Sequence, residues 1–269
     1  MNTENELLVV SFGTASAESR LLNIGSVEQA IGEAAGAEWN VCRCFTSQTI
    51  INIIARKEGV RTDSIIEALD KAADAGVKNL VVQPTHLMKG LEYDKLCSML
   101  ADHADLFRNL ALGDPLLTSD EDFERVADAL IEASSGYEDG KTAFILMGHG
   151  TESAANGIYA KMQDVLISKG KTDYYVGTVE AEPALDDVIR AVSARKYKRV
   201  VLRPLMLVAG NHAVNDMASP DDPDSWYSRF SAEGYDTICI IEGLGQLPAI
   251  RSVYAAHANR AIASLSKQL

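Results

Sequence analysis

Ile145-Leu146-Met147-Gly148-His149-Gly150-Thr151 decides how this chain is read. An unbroken apolar run that ends on glycine and a polar tip reads as a strand buried on both faces and stopped by a tight turn. The phrase occurs earlier as Leu8-Val9-Val10-Ser11-Phe12-Gly13-Thr14. A second phrase is doubled too. Val81-Val82-Gln83-Pro84 through Gly90-Leu91-Glu92 is matched by Val201-Leu202-Arg203-Pro204 through Gly210-Asn211-His212. In this overlay Phe12 falls opposite His149, and Glu92 opposite His212. The repetition indicates a duplicated fold unit. Residues that differ at equivalent places put the chemistry in the second half.

Other apolar, β-branched runs extend the pattern: Leu7–Val10, Trp39–Phe45, Asn79–Gln83, Ala143–Met147, Tyr174–Val179, Arg199–Leu202 and Thr237–Ile241. Between them lie stretches with helical spacing: Ser26–Gly36, Asp63–Ala75, Glu121–Ala133, Ala154–Lys169, Leu185–Ala194 and Leu247–Lys267. Strand alternating with helix predicts an α/β sandwich with right-handed crossovers, and the two similar halves predict two lobes, each a parallel sheet flanked by helices. The turn-like Ser134–Gly140 sets the expected boundary, giving an N-terminal lobe of 1–140 and a C-terminal lobe of 141–269. Met217–Trp226, rich in Pro and Asp, reads as an exposed loop.

The 269 residues, 47% hydrophobic and 23% charged, suit a globular chain of this design. A net charge of −13 and the lack of a Lys/Arg block argue against nucleic acid as partner. No apolar run reaches the ~18 residues that span a bilayer, and the first residues carry no basic region, so no membrane is expected and cytoplasm is the expected compartment. Cys42, Cys44, Cys97 and Cys239 form no CxxC pair and read as reduced and structural, with Cys42 and Cys44 expected on opposite strand faces.

In open α/β sheets, ligands bind beyond the carboxyl ends of the strands. Phe12, Gln48 and Glu92 follow strands in the first half, and His149, Glu180 and His212 in the second. The six are expected to line one cleft between lobes, with Gln48 as the counterpart of Glu180. His149, between two glycines, is expected to be exposed at its strand end. Asn215 or Asp216 is placed to hold the second ring nitrogen of His212. Glu180 is either a helix cap or a site residue, because Pro183 suits a first helical turn. Two histidines and a glutamate form a three-ligand set that leaves positions open on a divalent ion, and the set by itself does not choose among Co, Ni, Fe and Zn. Glu92 could escort the ion or protons, or simply favour a helix N-terminus. His86 reads equally as a residue facing the cleft or as a helper or core histidine, while His103 and His257 read as solvated surface residues. Leu87, Met88, Leu205, Met206, Leu207 and Val208 read as core or as apolar walls for a flat ligand. No GxxxxGK or GxGxxG is present, so no nucleotide is expected.

Taken together, LLVVSFGT at 7–14, FTS at 45–47, VVQPTHLMKGLEYDKL at 81–96, ILMGHGTE at 145–152, VGTVEAEPALDDV at 176–188 and RPLMLVAGNHAVNDMA at 203–218 resemble the anaerobic cobalt chelatases of the CbiK type. These are sirohydrochlorin cobaltochelatases within the class II tetrapyrrole chelatases. The resemblance implies two similar Rossmann-like lobes with a cleft between them, and ATP-independent insertion of Co(II) into sirohydrochlorin or precorrin-2 during cobalamin synthesis. Nickel or iron insertion into the same ring, or non-catalytic carriage of ring or metal, is the alternative. Carried over by motif, His149, Glu180 and His212 are metal ligands, and His149 also accepts a proton. Glu92 matches the acidic residue of the PTHxxxGxEY segment, and Asn211 stands where relatives often carry Asp. Phe12, Thr14, His86, Met88, Met206 and Leu207 are the expected ring contacts. No tightly bound cofactor is implied, since the metal is a substrate (Co(II), with Ni(II), Fe(II) or Zn(II) as in vitro substitutes), and a homo-oligomer is allowed for. The many carboxylates of such a ring call for local cations, with Arg203, Lys89 and Arg56 as candidates.

Overall fold

The computed structural model describes residues 4–265. Two all-parallel sheets form, as continuous apolar strands require. In the first, β1 (Asn5–Ser11), β2 (Asn40–Phe45), β3 (Asp63–Ser64), β4 (Asn79–Pro84) and β5 (Asn109–Leu112) lie in the order β3-β2-β1-β4-β5. In the second, β6 (Thr142–Gly148), β7 (Tyr174–Thr178), β8 (Arg199–Pro204) and β9 (Asp236–Cys239) lie in the order β7-β6-β8-β9. The short β3 and the half-exposed β5 escaped the sequence reading, because neither carries a long apolar run.

The crossover helices of the first part are α1 (Ser26–Ala35), α2 (Gln48–Glu58), α3 (Ile65–Asp74) and α4 (Leu91–Asp102). Those that follow are α5 (Asp120–Ser134), α6 (Gly157–Ser168), α7 (Leu185–Ser193), α8 (Trp226–Ala232) and α9 (Pro248–Leu265). Helix starts follow local chemistry. Ser64 and Glu67 close a reciprocal cap at α3, so that helix begins two residues after the expected Asp63. Ser119 and Asp122 do the same for α5. The expected final helix to Lys267 is seen to Leu265, and Ser266 and Lys267 lie outside the described residues.

The chain divides into two compact units at Thr118/Ser119 and again at Leu247/Pro248. The first unit includes the C-terminal segment, and the second is Ser119–Leu247. The expected division into 1–140 and 141–269 therefore shifts, for two physical reasons. Helix α5 packs on α6, with Lys161 Nζ 4.3 Å from the centre of the Phe123 ring. Helix α9 packs on α1, β4 and β5, where the Tyr254 hydroxyl donates to the Thr85 carbonyl (2.9 Å) and His257 Nδ1 bonds the Asp114 carbonyl (2.9 Å). His257 is thus a buried core histidine and not the surface residue expected. His103 caps the end of α4, with Nδ1 2.7 Å from the Met99 carbonyl oxygen.

Each sheet is covered on both faces. In the first unit Leu8, Val10, Leu80 and Val82 meet Leu69, Leu96 and Leu100. Cys44 and Cys42 belong to this same cluster, so they share one face of β2. Residues two apart on a strand point the same way, which corrects the expected opposite placement. All four cysteines are free thiols, and burial pushes Cys42 up to about 12 and Cys239 up to about 11. In the second unit Ile145, Met147, Val200 and Leu202 meet Val188, Val192, Trp226 and Phe230. Trp226, placed by the sequence reading in an exposed loop, is buried at the start of α8.

Strand pairing makes the internal repeat exact in backbone terms. Val10 pairs with Pro84, as Met147 pairs with Pro204. Ser11 pairs with Phe45, as Gly148 pairs with Thr178. Past the strands, Ser47 N–H donates to the Phe12 carbonyl, and Glu180 N–H to the His149 carbonyl. The structural counterpart of Glu180 is therefore Ser47, the N-cap of α2, and not Gln48.

Candidate metal centre

β6 is central in its sheet, with β7 on one side and β8 on the other. The loops leaving three adjacent strands at their carboxyl ends carry His149, Glu180 and His212. Their donor atoms all lie within 4.8 Å of one another, and among the described residues this is the one such group of three. The two imidazole rings are 4.7 Å apart and nearly perpendicular, and His149 Nδ1 is 3.5 Å from Glu180 Oε2. Donors bound at about 2.0–2.2 Å to one first-row ion are separated by roughly 3–4 Å, so small side-chain movements let the three share an ion. All three side chains are part-exposed, open to an incoming ion.

The local sequence explains the placement. Gly150 has φ +88°, and a Cβ there would sit 2.8 Å from the Ala181 backbone nitrogen. A Cβ on Gly148 would sit 2.1 Å from the Tyr159 ring. Only glycines on both sides let the His149 loop turn this sharply beside the Glu180 loop. His149 Nδ1 also lies 3.0 Å from the Gly150 carbonyl oxygen. An oxygen that can only accept puts the hydrogen on Nδ1 and leaves the lone pair on Nε2.

His212 precedes a π-helical turn, Ala213–Met217, that brings Asp216 back one turn later. Asp216 Oδ2 lies 2.8 Å from His212 Nδ1. Of the two residues expected to hold this ring, Asp216 does so. The carboxylate fixes the same tautomer as in His149, with Nε2 free to bind a cation.

The remaining sequence candidates fall as follows. Met206 and Leu207 lie just past β8, half-buried, with their carbonyls tied to Leu244 N–H and Gly245 N–H. Phe12, Thr14, His86, Met88 and Glu92 belong to the first unit. Phe12 is an exposed aromatic ring, whereas Thr14 is buried with its hydroxyl accepting from Ser16 N–H. Met88 is half-buried in the loop after β4. Glu92 sits in the first turn of α4, paired with Lys95 at 2.7 Å. His86 is unusual: both ring nitrogens are buried without a hydrogen-bond partner. Burial lowers its pKa to about 4, with the Glu92 charge partly opposing, so it is neutral at pH 7.

The proposed cations are largely engaged. Arg203 is buried, donating to Glu242 at 2.8 Å and to the Ala133 carbonyl at 3.3 Å, so it is not offered to a ligand. Lys89 pairs with Asp114 at 2.8 Å, and Arg56 donates to the Asn52 carbonyl within α2. No helix among the described residues is long and apolar enough to cross a membrane.

The chain is 36% identical to the sirohydrochlorin cobaltochelatase of Salmonella typhimurium over 256 residues, covering 95% of this chain and 96% of that one. It is 31% identical to sirohydrochlorin cobaltochelatase CbiKC of Nitratidesulfovibrio vulgaris over 209 residues, covering 76% and 73%. Its fold matches SirB from Bacillus subtilis with a TM-score of 0.63, at 11% identity and 98% coverage of both chains. The family model of cobalt chelatase (CbiK) matches residues 5–263, and the chain belongs to that family.

Proposed function

We propose that this protein inserts Co(II) into sirohydrochlorin without ATP, as a step of cobalamin biosynthesis, with precorrin-2 as the alternative ring. The observation that carries the reading is the convergence of His149, Glu180 and His212 on one point, in a chain of the cobalt chelatase family. Three neutral-or-anionic donors hold a divalent ion while leaving coordination positions open, so ring nitrogens can replace water one at a time. A site without thiolates or a fourth protein ligand surrenders its metal, as a chelatase must.

Metallation releases two pyrrole N–H protons, which need an acceptor near the ring centre. In this reading Glu180 and His212 hold the ion while His149 leaves it, takes the first proton at Nε2 and passes it to solvent before taking the second, its side chain being open to water. One nitrogen cannot bind metal and proton together, so the roles alternate in time. Asp216 backs His212 at 2.8 Å, whereas the nearest partner of His149 Nδ1 is the neutral Gly150 carbonyl at 3.0 Å, with Glu180 Oε2 farther off at 3.5 Å, which favours His212 as the lasting anchor. Met206 and Leu207, just past β8 in the same unit as the metal ligands, are the proposed ring contacts. Glu92 is proposed as a carboxylate that escorts ions or protons.

The test mixes the purified protein, sirohydrochlorin and Co(II) without oxygen and follows the absorption spectrum. Many turnovers per chain, faster than spontaneous metallation, are expected. A spectral change that stops at one ring per chain would instead describe a carrier. Parallel runs with Ni(II) and Fe(II) rank the metals.

A further inference from the structure

The donor loops are fastened to one helix that the chemistry above does not use. Asn156 immediately precedes α6, and Tyr159 lies three residues on, so both face the same side of its first turn. The Asn156 side chain bridges two loops: its Oδ1 accepts from Thr151 N–H at 3.1 Å, and its Nδ2 donates to the Glu182 carbonyl at 2.7 Å. An N–H on one side and a carbonyl on the other permit a single orientation of the amide. Thr151 is two residues after His149, and Glu182 two residues after Glu180. The buried Tyr159 hydroxyl accepts from Gly150 N–H at 3.2 Å, and its ring fills the space that a Gly148 side chain would need. Burial pushes the Tyr159 phenol up, and the backbone N–H groups of Gly150 and His149 pull it back.

We propose that Asn156 and Tyr159 are positioning residues for the metal site, setting the spacing between His149 and Glu180. The proposal rests on the reading of those two side chains as Co(II) ligands. Neither Asn156 nor Tyr159 touches the ion. Together they clamp the turn on both sides of His149 and join it to the Glu180 loop, beside the backbone bonds from Glu180 N–H to the His149 carbonyl (2.8 Å) and from Val179 N–H to the Gly148 carbonyl (3.0 Å). His212 lies outside this clamp, held by Asp216. Two donors are therefore set by backbone fastening, and the third by its own side-chain partner.

Asn156→Ala and Tyr159→Phe test this, the second keeping the ring that packs against Gly148. Both proteins are compared with wild type by circular dichroism and thermal melting, by titration with Co(II) alone, by the visible spectrum of bound Co(II), and by kcat and KM for ring and metal. The expected result is folded protein whose Co(II) affinity falls about tenfold in Asn156→Ala and a few-fold in Tyr159→Phe. The Co(II) bands should shift, and kcat should fall while KM for the ring stays unchanged. Folded variants with wild-type Co(II) affinity, spectrum and kcat would overturn the proposal, as would lost thermal stability with Co(II) affinity intact. The metal titration needs no turnover, so an inactive wild type that still binds Co(II) would count against the chelatase reading while leaving this one open to its own test.

Discussion

Two copies of one backbone design, side by side in sequence, differ in what they carry at three matched positions. The first unit has Phe12, Ser47 and Glu92, and the second has His149, Glu180 and His212. The frames agree closely: the prolines ending β4 and β8 pair with the same places on β1 and β6. The glycines after β1 and β6 both have positive φ, +96° and +88°. Ser47 caps α2, accepting from Ile50 N–H, whereas the matched Glu180 is free to point at a cation. A strand end at the carboxyl edge of a parallel sheet is thus only a mount, and side-chain identity decides whether it carries chemistry.

The sharpest way to break the comparison is to remove His149, the proposed base and ligand in one side chain. His149→Ala should lower the insertion rate by about 100-fold or more, because proton acceptance alone contributes that order. Near wild-type turnover would remove His149 from the mechanism. His212→Ala should weaken Co(II) binding, read by titration.

The paired glycines sharpen it next. An alanine at either place must adopt a left-handed backbone, costing roughly 1–3 kcal/mol of stability. The neighbours differ, however. A Cβ at Gly13 meets the side chain of Phe45 at 2.8 Å, whereas a Cβ at Gly150 meets the backbone nitrogen of Ala181, next to Glu180. Gly13→Ala and Gly150→Ala should both melt earlier, and only Gly150→Ala should lose Co(II) affinity. Equal loss of affinity in the two would mean the loops are not functionally distinct.

His86 offers a third contrast, since its counterpart Met206 cannot titrate. With a folded pKa near 4 against an unfolded value near 6.5, the unfolded chain takes the proton first as pH falls. Stability held above pH 6.5 is therefore lost as pH drops towards 4, by roughly 2 kcal/mol between pH 7 and pH 5. Urea midpoints at the two pH values should separate in wild type and converge in His86→Met. An unchanged separation would show that other groups cause the acid sensitivity.

The duplicated phrases made much of this legible. Apolar runs placed seven strands, and the overlay that sets Phe12 on His149 survives as strand register, while Glu92 and His212 each stand eight residues past the proline ending the matched strand. What sequence spacing missed depends on contacts between distant segments. Ser47 could not be told from Gln48 without the bond to the Phe12 carbonyl. The burial of His257 and the return of α9 to the first unit depend on the partners Asp114 and Thr85, more than a hundred residues away. Asn156 fell inside the expected helical stretch Ala154–Lys169, and only the folded loops reveal that it precedes the helix and ties two of them. Arg203 looked available because sequence does not show burial, and the structure spends it on Glu242.

The smallest expected effect tests whether the first unit takes any part in metal handling. Glu92 holds the place of His212, but it sits on the first turn of α4 and pairs with Lys95 in partial exposure. An ion pair of this kind contributes little energy, about 0–1 kcal/mol, and its carboxylate remains free to exchange partners. As an escort and not a ligand, Glu92 should affect the rate and leave equilibrium binding alone. Glu92→Gln is therefore expected to slow insertion by about threefold while the Co(II) dissociation constant stays within about twofold of wild type, consistent with so weak a pair. A tenfold loss of Co(II) affinity would make Glu92 a ligand in its own right, and the division of labour between the two units would have to be redrawn.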